Sequence, residues 1–542
     1  MNLRLTKAPG TASPLHVRFT PASPDSNPRL VRKSFLQTIL AVAISVLVPI
    51  VAHAGSATWD LNPGSGTWNT AANWTPMIVP NGPADIATFA LSNTTNVSIS
   101  ANTEVNAITF TPAATNPYTI TASATWTLRI TGTGITNNSG RTQHFITPVG
   151  ANGEFGLIVF SNSATAGNST MFNNNGAFLN GEVRGGTRFL DTSSAGNGTF
   201  INNGGFTEFS DSSTAGNGSF TNNGGTVSGA GGGQTIFQQT SIADSATLIA
   251  NGGTGGGQGG QILFEDASTG GTSRVEVFGN GNLDISSHNA PGVAVGSIEG
   301  SGNAFLGGNN LTVGSNNLST TFSGVIQDGG RSGGVGGSLT KIGTGTLILS
   351  GANTYTGNTN INRGVLRVGG SITSDTSVHY TGTLAGTGMI HGNVTNNDFG
   401  TVRPGGALGV PGVLTVVHNY TQTQYATLMI QIAGTSAGDF SVLNVLGTAN
   451  LNGYLNPVLL GGFVPTIGDS FIFLNYASLT GELSRIQNEV FNNGTERWVV
   501  TYQPTNAVLT ATKNVPDQGS TFLLLTLGLL GLVTYRRQLI RK

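Results

Sequence analysis

Apolar residues in most of this chain occur singly or in brief alternation with Thr, Ser and Asn, and Gly interrupts them every few positions. Such a pattern predicts short strands joined by tight corners rather than helices. Between residues 161 and 225 the pattern repeats three times. Ser-Ala-Thr-Ala-Gly-Asn at 163–168 precedes Phe172-Asn173-Asn174; Ser193-Ser194-Ala195-Gly196-Asn197 precedes Phe200-Ile201-Asn202-Asn203; Ser213-Thr214-Ala215-Gly216-Asn217 precedes Phe220-Thr221-Asn222-Asn223. The Ala-Gly-Asn steps are 29 and then 20 residues apart. A step of about 20 residues is one coil of a β-solenoid, the longer one adding a loop. Each coil offers one or two inward apolar side chains, here Phe172, Phe200 and Phe220, so coils are stable only when stacked. The Asn pairs 173/174, 202/203 and 222/223 are expected to form amide ladders along the stack. Asp191 and Asp211 recur at equivalent places, where stacked carboxylates suit either Ca²⁺ or turn capping; capping is the preferred reading.

Two segments break the pattern. Arg29, Arg32 and Lys33 precede an apolar run at 35–51, and Ala52-His53-Ala54 then places small residues before Gly55. Residues 1–54 are therefore expected to be a signal peptide cut by signal peptidase between Ala54 and Gly55. At the other end Val515-Pro516-Asp517-Gln518-Gly519-Ser520-Thr521 leads into an apolar run at 522–534, closed by Tyr535, Arg536 and Arg537. Motif, greasy segment and basic membrane stop in this order resemble the PEP-CTERM type of sorting signal, closest to its Val-Pro-Asp-Ser-Gly variant, with Gln518 departing at the Ser position. That resemblance implies an exosortase-type processing protease as partner and a transmembrane segment before processing.

A second repeat covers residues 337–368, from Gly337-Ser338-Leu339-Thr340-Lys341 through Thr346-Leu347-Ile348-Leu349 to Arg363-Gly364-Val365-Leu366-Arg367-Val368. It resembles the autotransporter-associated β-strand repeat of bacterial passenger domains. Leu347, Leu349, Ile361, Val365 and Leu366 are expected to point inward, with Gly351 and Gly364 at sharp corners. Residues 382–471 also resemble the C-terminal part of such passengers. A self-exporting passenger is followed by a membrane barrel, whereas about 30 residues follow Ala511 here, so export is expected to use the sorting signal instead. The expected fold is all-β: a right-handed parallel β-helix with a C-terminal β-sandwich-like cap. Its regions are an N-terminal capping and β-rich part (55–160), the solenoid (161–414), the cap (415–512) and the sorting signal (513–542). Trp59, Trp68 and Trp74 are expected to plug the first coil; the competing reading makes them a sugar-stacking platform.

Composition agrees with this class. The 542 residues include 81 Gly, 20 Pro and no Cys, with 9% charged and 37% hydrophobic. Disulfides and thiolate metal sites are excluded. The two ends carry +5 and +3 against a net −1, so the body carries −9; this acidic body offers no basic groove, and nucleic acid is not an expected partner. Chemistry is sparse. His144, His288, His379, His391 and His418 show no metal-pair spacing, and the Gly-rich run 252–260 has neither the strand nor the helix of a nucleotide loop and reads as a mobile loop. Gly279-Asn280-Gly281-Asn282-Leu283-Asp284 is a single copy of a calcium-repeat-like pattern, which works only in tandem. No catalytic residue, cofactor or metal is assigned. The sequence therefore points to an exported structural or adhesive protein of a bacterial cell envelope or matrix, with polysaccharide or further copies of itself as partners. The alternative is a secreted β-helix polysaccharide lyase or hydrolase, for which Asp284, Arg274 and Glu276 are candidates.

Overall fold

The computed structural model describes residues 55–176, 184–515, 528–530, 532, 533 and 535–537. Strands Leu157–Phe160, Gly186–Phe189, Phe206–Phe209, Gln234–Phe237 and Gln261–Phe264 lie side by side in parallel, each one coil after the last. On the opposite wall Asn168–Asn175, Asn197–Asn203, Ser219–Asn223 and Thr247–Ala250 do the same. Sheets built only of parallel neighbours need a crossover between each pair, and here the facing wall is that crossover. The result is a parallel β-helix. The first wall ends at Val325–Gln327, and a third sheet takes over at Ala352–Asn353, joined by the Thr354 N–H donating to Ile326 O at 2.9 Å. Residues 55–160 join the same solenoid, since Gly82–Phe89, Thr103–Phe110 and Thr127–Asn137 pair in parallel and lead into Leu157–Phe160.

Side chains fill the interior by stacking like on like. Phe172, Phe200 and Phe220 are fully buried, with ring centroids 4.6 and 4.8 Å apart and planes within 8°. A second stack, Phe160, Phe189, Phe209, Phe237 and Phe264, has its rings 4.8 to 5.0 Å apart and meets the first edge-on at 5.5 to 5.9 Å. The stacking distance is the inter-strand spacing, so one aromatic per coil yields a continuous column. The amide ladder runs beside it through Asn174, Asn202 and Asn222: Asn174 Nδ2 donates to Asn202 Oδ1 at 2.9 Å, and Asn202 Nδ2 to Asn222 Oδ1 at 2.7 Å. Thr187, Thr207 and Thr235 donate into the same oxygens from the facing wall. The register differs by one from the expected pairing in the first coil, where Asn174 and Asn175, not Asn173 and Asn174, align with Asn202 and Asn203. The extra Ile201 between ring and amide pair causes the offset. At its far end the ladder meets Ala250, and Asn222 Nδ2 is left without a partner.

Corners are built by another ladder. Asn162, Asp191, Asp211, Gln239 and Asp266 all adopt φ between 53° and 57°, a left-handed conformation in which Asn and Asp are the best tolerated residues with a side chain. Asp191 Oδ2 accepts the Asn162 N–H at 2.7 Å, Asp211 Oδ2 that of Asp191 at 2.9 Å, and Asp266 Oδ2 that of Gln239 at 3.0 Å. Asp191 and Asp211 thus cap backbone, and they cap the coil before their own. The Gly-rich run 252–260 is stacked rather than loose: Thr254 N–H donates to Gly225 O and Gln258 N–H to Ala230 O, and a Cβ on Gly257 would lie 2.2 Å from Gly225 O. Glycine here serves close approach of two loops. Asn280 of the calcium-like pattern is also spent on this contact, accepting the Gly253 N–H at 2.6 Å.

In the 337–368 repeat, Leu347, Leu349, Ile361 and Leu366 are buried, while Val365 is half-exposed. Strict alternation permits only one of two neighbours inside, and the bulge between Ile361 and Arg363 selects Leu366. The end beyond 414 also differs from expectation. Coils continue in parallel through Thr427–Ile432, Tyr454–Leu459 and Arg485–Ile486. Apart from a single Ile432–Phe440 bridge, antiparallel pairing beyond 414 joins Ser470–Asn475 with Asn506–Lys513, Glu496–Tyr502 and Val490–Phe491, so a short meander with buried Trp498, rather than a sandwich over 415–512, covers the last coil. Coils of three strands begin upstream, at Gly292–Val295, Ser297–Gly300 and Asn303–Phe305, and persist beyond 414. At the opposite end Trp59, Trp68 and Trp74 are buried against Phe89 with centroids 5.0 to 6.1 Å apart. Their indole N–H groups donate to Thr94 O, Pro80 O and Trp68 O. They plug the solenoid and leave no face for a sugar.

Candidate functional site

The three residues considered for catalysis do not meet. Arg274 and Glu276 lie on Arg274–Val277, where Arg274 Nε contacts Glu276 and Glu299 in an exposed ion-pair group on one wall. Asp284 lies on the other wall, in the strand Asn282–Asp284 paired with Gln261–Phe264. Its oxygens accept the N–H groups of Ser286 at 2.8 Å and Arg331 at 2.7 Å. The shallow pocket beside it, about 310 Å³, includes Gln261, Leu263, Asn282, Phe305 and Arg331, and Asp284 is its one carboxylate. Glycoside cleavage uses two. A second groove of about 350 Å³ lies between glycine-rich corners, lined by Asn203, Asn223, Thr226 and Ala230 among others, with no titratable group among its lining residues. The histidines are dispersed; His288, the best held, uses its ring nitrogens on Asn289 O and Ser268 O. Among the described residues no group of three His, Asp or Glu is placed to hold a metal.

Lys341 is the one lysine drawn into the interior among the described residues. It is 1% exposed, and its ammonium donates to Ile342 O at 2.5 Å, Gly343 O at 3.2 Å and Arg363 O at 3.3 Å, tying two successive corners together. Burial holds its pKa down to about 8 from an ordinary 10.5. Between those values the folded chain binds fewer protons than the unfolded one, so the group adds stability as pH rises through that window. Wild type should therefore gain on Lys341→Met between pH 8 and 10.5, by at most about 1.4 kcal/mol per pH unit, in paired urea melts. A difference independent of pH would show that the ammonium is not desolvated.

What the surface does offer is an aromatic row. Strand Thr376–Gly386 pairs with Val394–Asn396 and Thr401–Pro404, and these pair with Tyr420–Gln422 and Thr427–Ile432. Tyr380 sits at a bend within Thr376–Gly386, and the corners after Val394–Asn396 and Tyr420–Gln422 carry Phe399 and Tyr425. These rings are 73%, 64% and 41% exposed. Phe399 and Tyr425 are parallel, 6° apart in plane and 5.6 Å between centroids. Tyr380 and Phe399 have φ of 44° and 66°, an uncommon backbone for a bulky residue. Polar groups rim the row: Asp398 accepts the Tyr425 N–H at 3.2 Å, and Asn397 Nδ2 lies 3.4 Å from His379 Nδ1. The sequence reading missed this row because its residues are 19 and 26 positions apart in dissimilar contexts; the signal available was three isolated aromatics next to predicted corners.

Residues 339–368 match the family described as Passenger-associated-transport-repeat, and residues 514–539 match the VPDSG-CTERM motif. The chain thus carries a passenger-type transport repeat and a C-terminal sorting motif. An extracellular serine protease of Serratia marcescens is 36% identical over 103 residues, 19% of this chain and 10% of the protease. The adhesin BmaC autotransporter of Brucella suis biovar 1 (strain 1330) is 36% identical over 110 residues, 20% of this chain and 3% of the adhesin. The chain thus spans a tenth or less of the length of these curated relatives. Repeat and motif together make the passenger-type chain an exported protein of the cell surface or extracellular space.

Of the expected sorting residues, Val515 is described and exposed, directly after the last strand, Asn506–Lys513. Pro516, Asp517, Gly519, Ser520 and Thr521 lie outside the described residues, as do Ala52 and Ala54 of the leader. Arg536 and Arg537 are exposed in a helical turn. Among the described residues no helix is long and apolar enough to cross a membrane; of the segment 522–534 expected to span it, residues 522–527, 531 and 534 lie outside the described residues.

Proposed function

We propose that the mature solenoid is a structural and adhesive component of a bacterial envelope or extracellular matrix, delivered by a cleaved leader and an exosortase-type C-terminal signal. Its partner is extracellular polysaccharide. The row Tyr380, Phe399 and Tyr425 carries this reading, because flat aromatic faces held one coil apart suit the apolar C–H faces of successive sugar rings, and the polar rim suits their hydroxyls. The similarity to part of an adhesin is in keeping with it. The lyase or hydrolase alternative is weaker, since Asp284 is separated from Arg274 and Glu276 by the body of the solenoid. The protein is not proposed to be an enzyme.

The test is co-sedimentation of the purified protein with the polysaccharide of its own envelope. Tyr380→Ala combined with Phe399→Ala should weaken binding at least about tenfold while leaving the melting curve nearly unchanged, because exposed positions contribute little to stability. Undiminished binding would sink the aromatic row as the contact, and depolymerisation of the polysaccharide by wild type would favour the enzyme reading.

A further inference from the structure

Asp85 lies in the strand Gly82–Phe89 and is 3% exposed. Its Oδ1 accepts the N–H of Gly55 at 2.7 Å, and its Oδ2 accepts the N–H of Asn81 at 3.1 Å. None of the ion pairs among the described residues involves it. A carboxylate buried this far ordinarily has a cation beside it, because two amide dipoles offset only part of its lost hydration. The missing positive charge has one natural source. Gly55 directly follows Ala52-His53-Ala54, the site at which the leader is expected to be cut.

We propose that cleavage after Ala54 creates the cation that Asp85 is built to hold. Water adds across the Ala54–Gly55 amide: the leader departs with a carboxylate on Ala54, and the nitrogen of Gly55 becomes a primary amine that takes up a proton at neutral pH. One neutral N–H facing Asp85 is replaced by an ammonium with three. A side chain at this position would press on the carboxylate, since a Cβ on Gly55 would sit 2.6 Å from Asp85 Oδ2 and 3.3 Å from Ile78 Cγ2. A mature chain starting at any other residue would either displace the carboxylate or place its charge elsewhere. The pair would fasten the first strand, Ala57–Trp59, whose residues Ala57 and Thr58 pair with Ala87 and Thr88 of the strand carrying Asp85, and through Trp59 the end plug itself. Leader removal would then complete the first coil as well as release the chain. This inference rests on the export reading above, and its test separates the two.

The mature protein is recovered from the producing cells and its N-terminus read by intact mass. It is then labelled at pH 7 with an amine-reactive ester, in parallel with Asp85→Asn. Pairing raises the amine's pKa by a unit or more, so the Gly55 amine should label at least about tenfold more slowly in wild type than in the variant. A second check inserts one Ala between Ala54 and Gly55 in the full-length chain, which keeps Asp85 and the backbone bond but moves the charge. Amide exchange at residues 57–59 and 86–89 should then be faster than in wild type; this comparison also stands alone if Asp85→Asn fails to fold. A mature terminus other than Gly55 would overturn the cleavage reading and the inference with it. A Gly55 terminus that labels at the same rate in both proteins, or exchange unchanged by the inserted Ala, would overturn the ion pair and leave export intact.

Discussion

Asn202→Ala should destabilise the middle of the solenoid by about 3 to 5 kcal/mol, with melting by tryptophan fluorescence and amide exchange around residues 170–225 as the readouts. The amide of Asn202 has five partners at once. Nδ2 donates to Asn222 Oδ1, to Gln234 O and, at 3.4 Å, to the Thr235 hydroxyl, while Oδ1 accepts from Asn174 and from the Thr207 hydroxyl. Truncation removes all of these bonds in a fully buried place where no water is available to replace them, and the flanking amides of Asn174 and Asn222 lose their shared neighbour. Truncating Asn203, the exposed amide next to it, removes a bond to Asn223 that water can replace, and should cost less than about 1 kcal/mol. Equal losses at the two positions would mean that the ladder contributes through strand propensity and not through buried hydrogen bonding.

Gly351→Ala should be costlier still for its size, about 4 kcal/mol or more, although it adds one methyl group. A Cβ there would lie 1.9 Å from Gly324 O and 2.9 Å from Ser323 O, both backbone atoms of the preceding coil. Neither can rotate away, so two coils would have to part along the wall that also carries Phe322 against Leu349. A control is Gly369→Ala, where the nearest atoms are 3.8 Å away and the same substitution should be tolerated. Denaturant melts of the pair give the contrast directly; similar midpoints for both would show that coil spacing is softer than the static distances imply.

These two effects also mark how far the amino-acid order can be read unaided. The Phe172, Phe200 and Phe220 column is visible because Asn-Asn follows each ring, giving the eye a fixed tag at coil spacing. The facing column of Phe160, Phe189, Phe209, Phe237 and Phe264 has no such tag: the residues after each Phe vary, so only the common spacing betrays it. Corner residues are recognisable as turn formers, but not that Asp191 and Asp211 reach back to the previous coil, since contact between residues 20 to 29 apart depends on coil length. Beyond 414 the parallel coils are not legible, because apolar content reads the same in a further solenoid coil and in a separate domain. Of the aromatic row only three isolated rings near turn residues are visible in the sequence; that they fall in line is a property of register. For the Trp plug, composition and position suffice.

The paired ladders have a consequence for how this chain can change length. From Asn202 to Asn222, and from Asp191 to Asp211, the interior, the polar spine and the corner all advance together by one coil of 20 residues. Each coil presents to the next the same surface it receives from the one before. Duplicating such a unit in frame would raise the stack by about 4.8 Å and leave the tryptophan plug and the closing meander facing the neighbours they already have. The two ends set where the molecule stops; the middle behaves as a tally of interchangeable units, and reach from the cell can drift in whole steps without any new fold being invented.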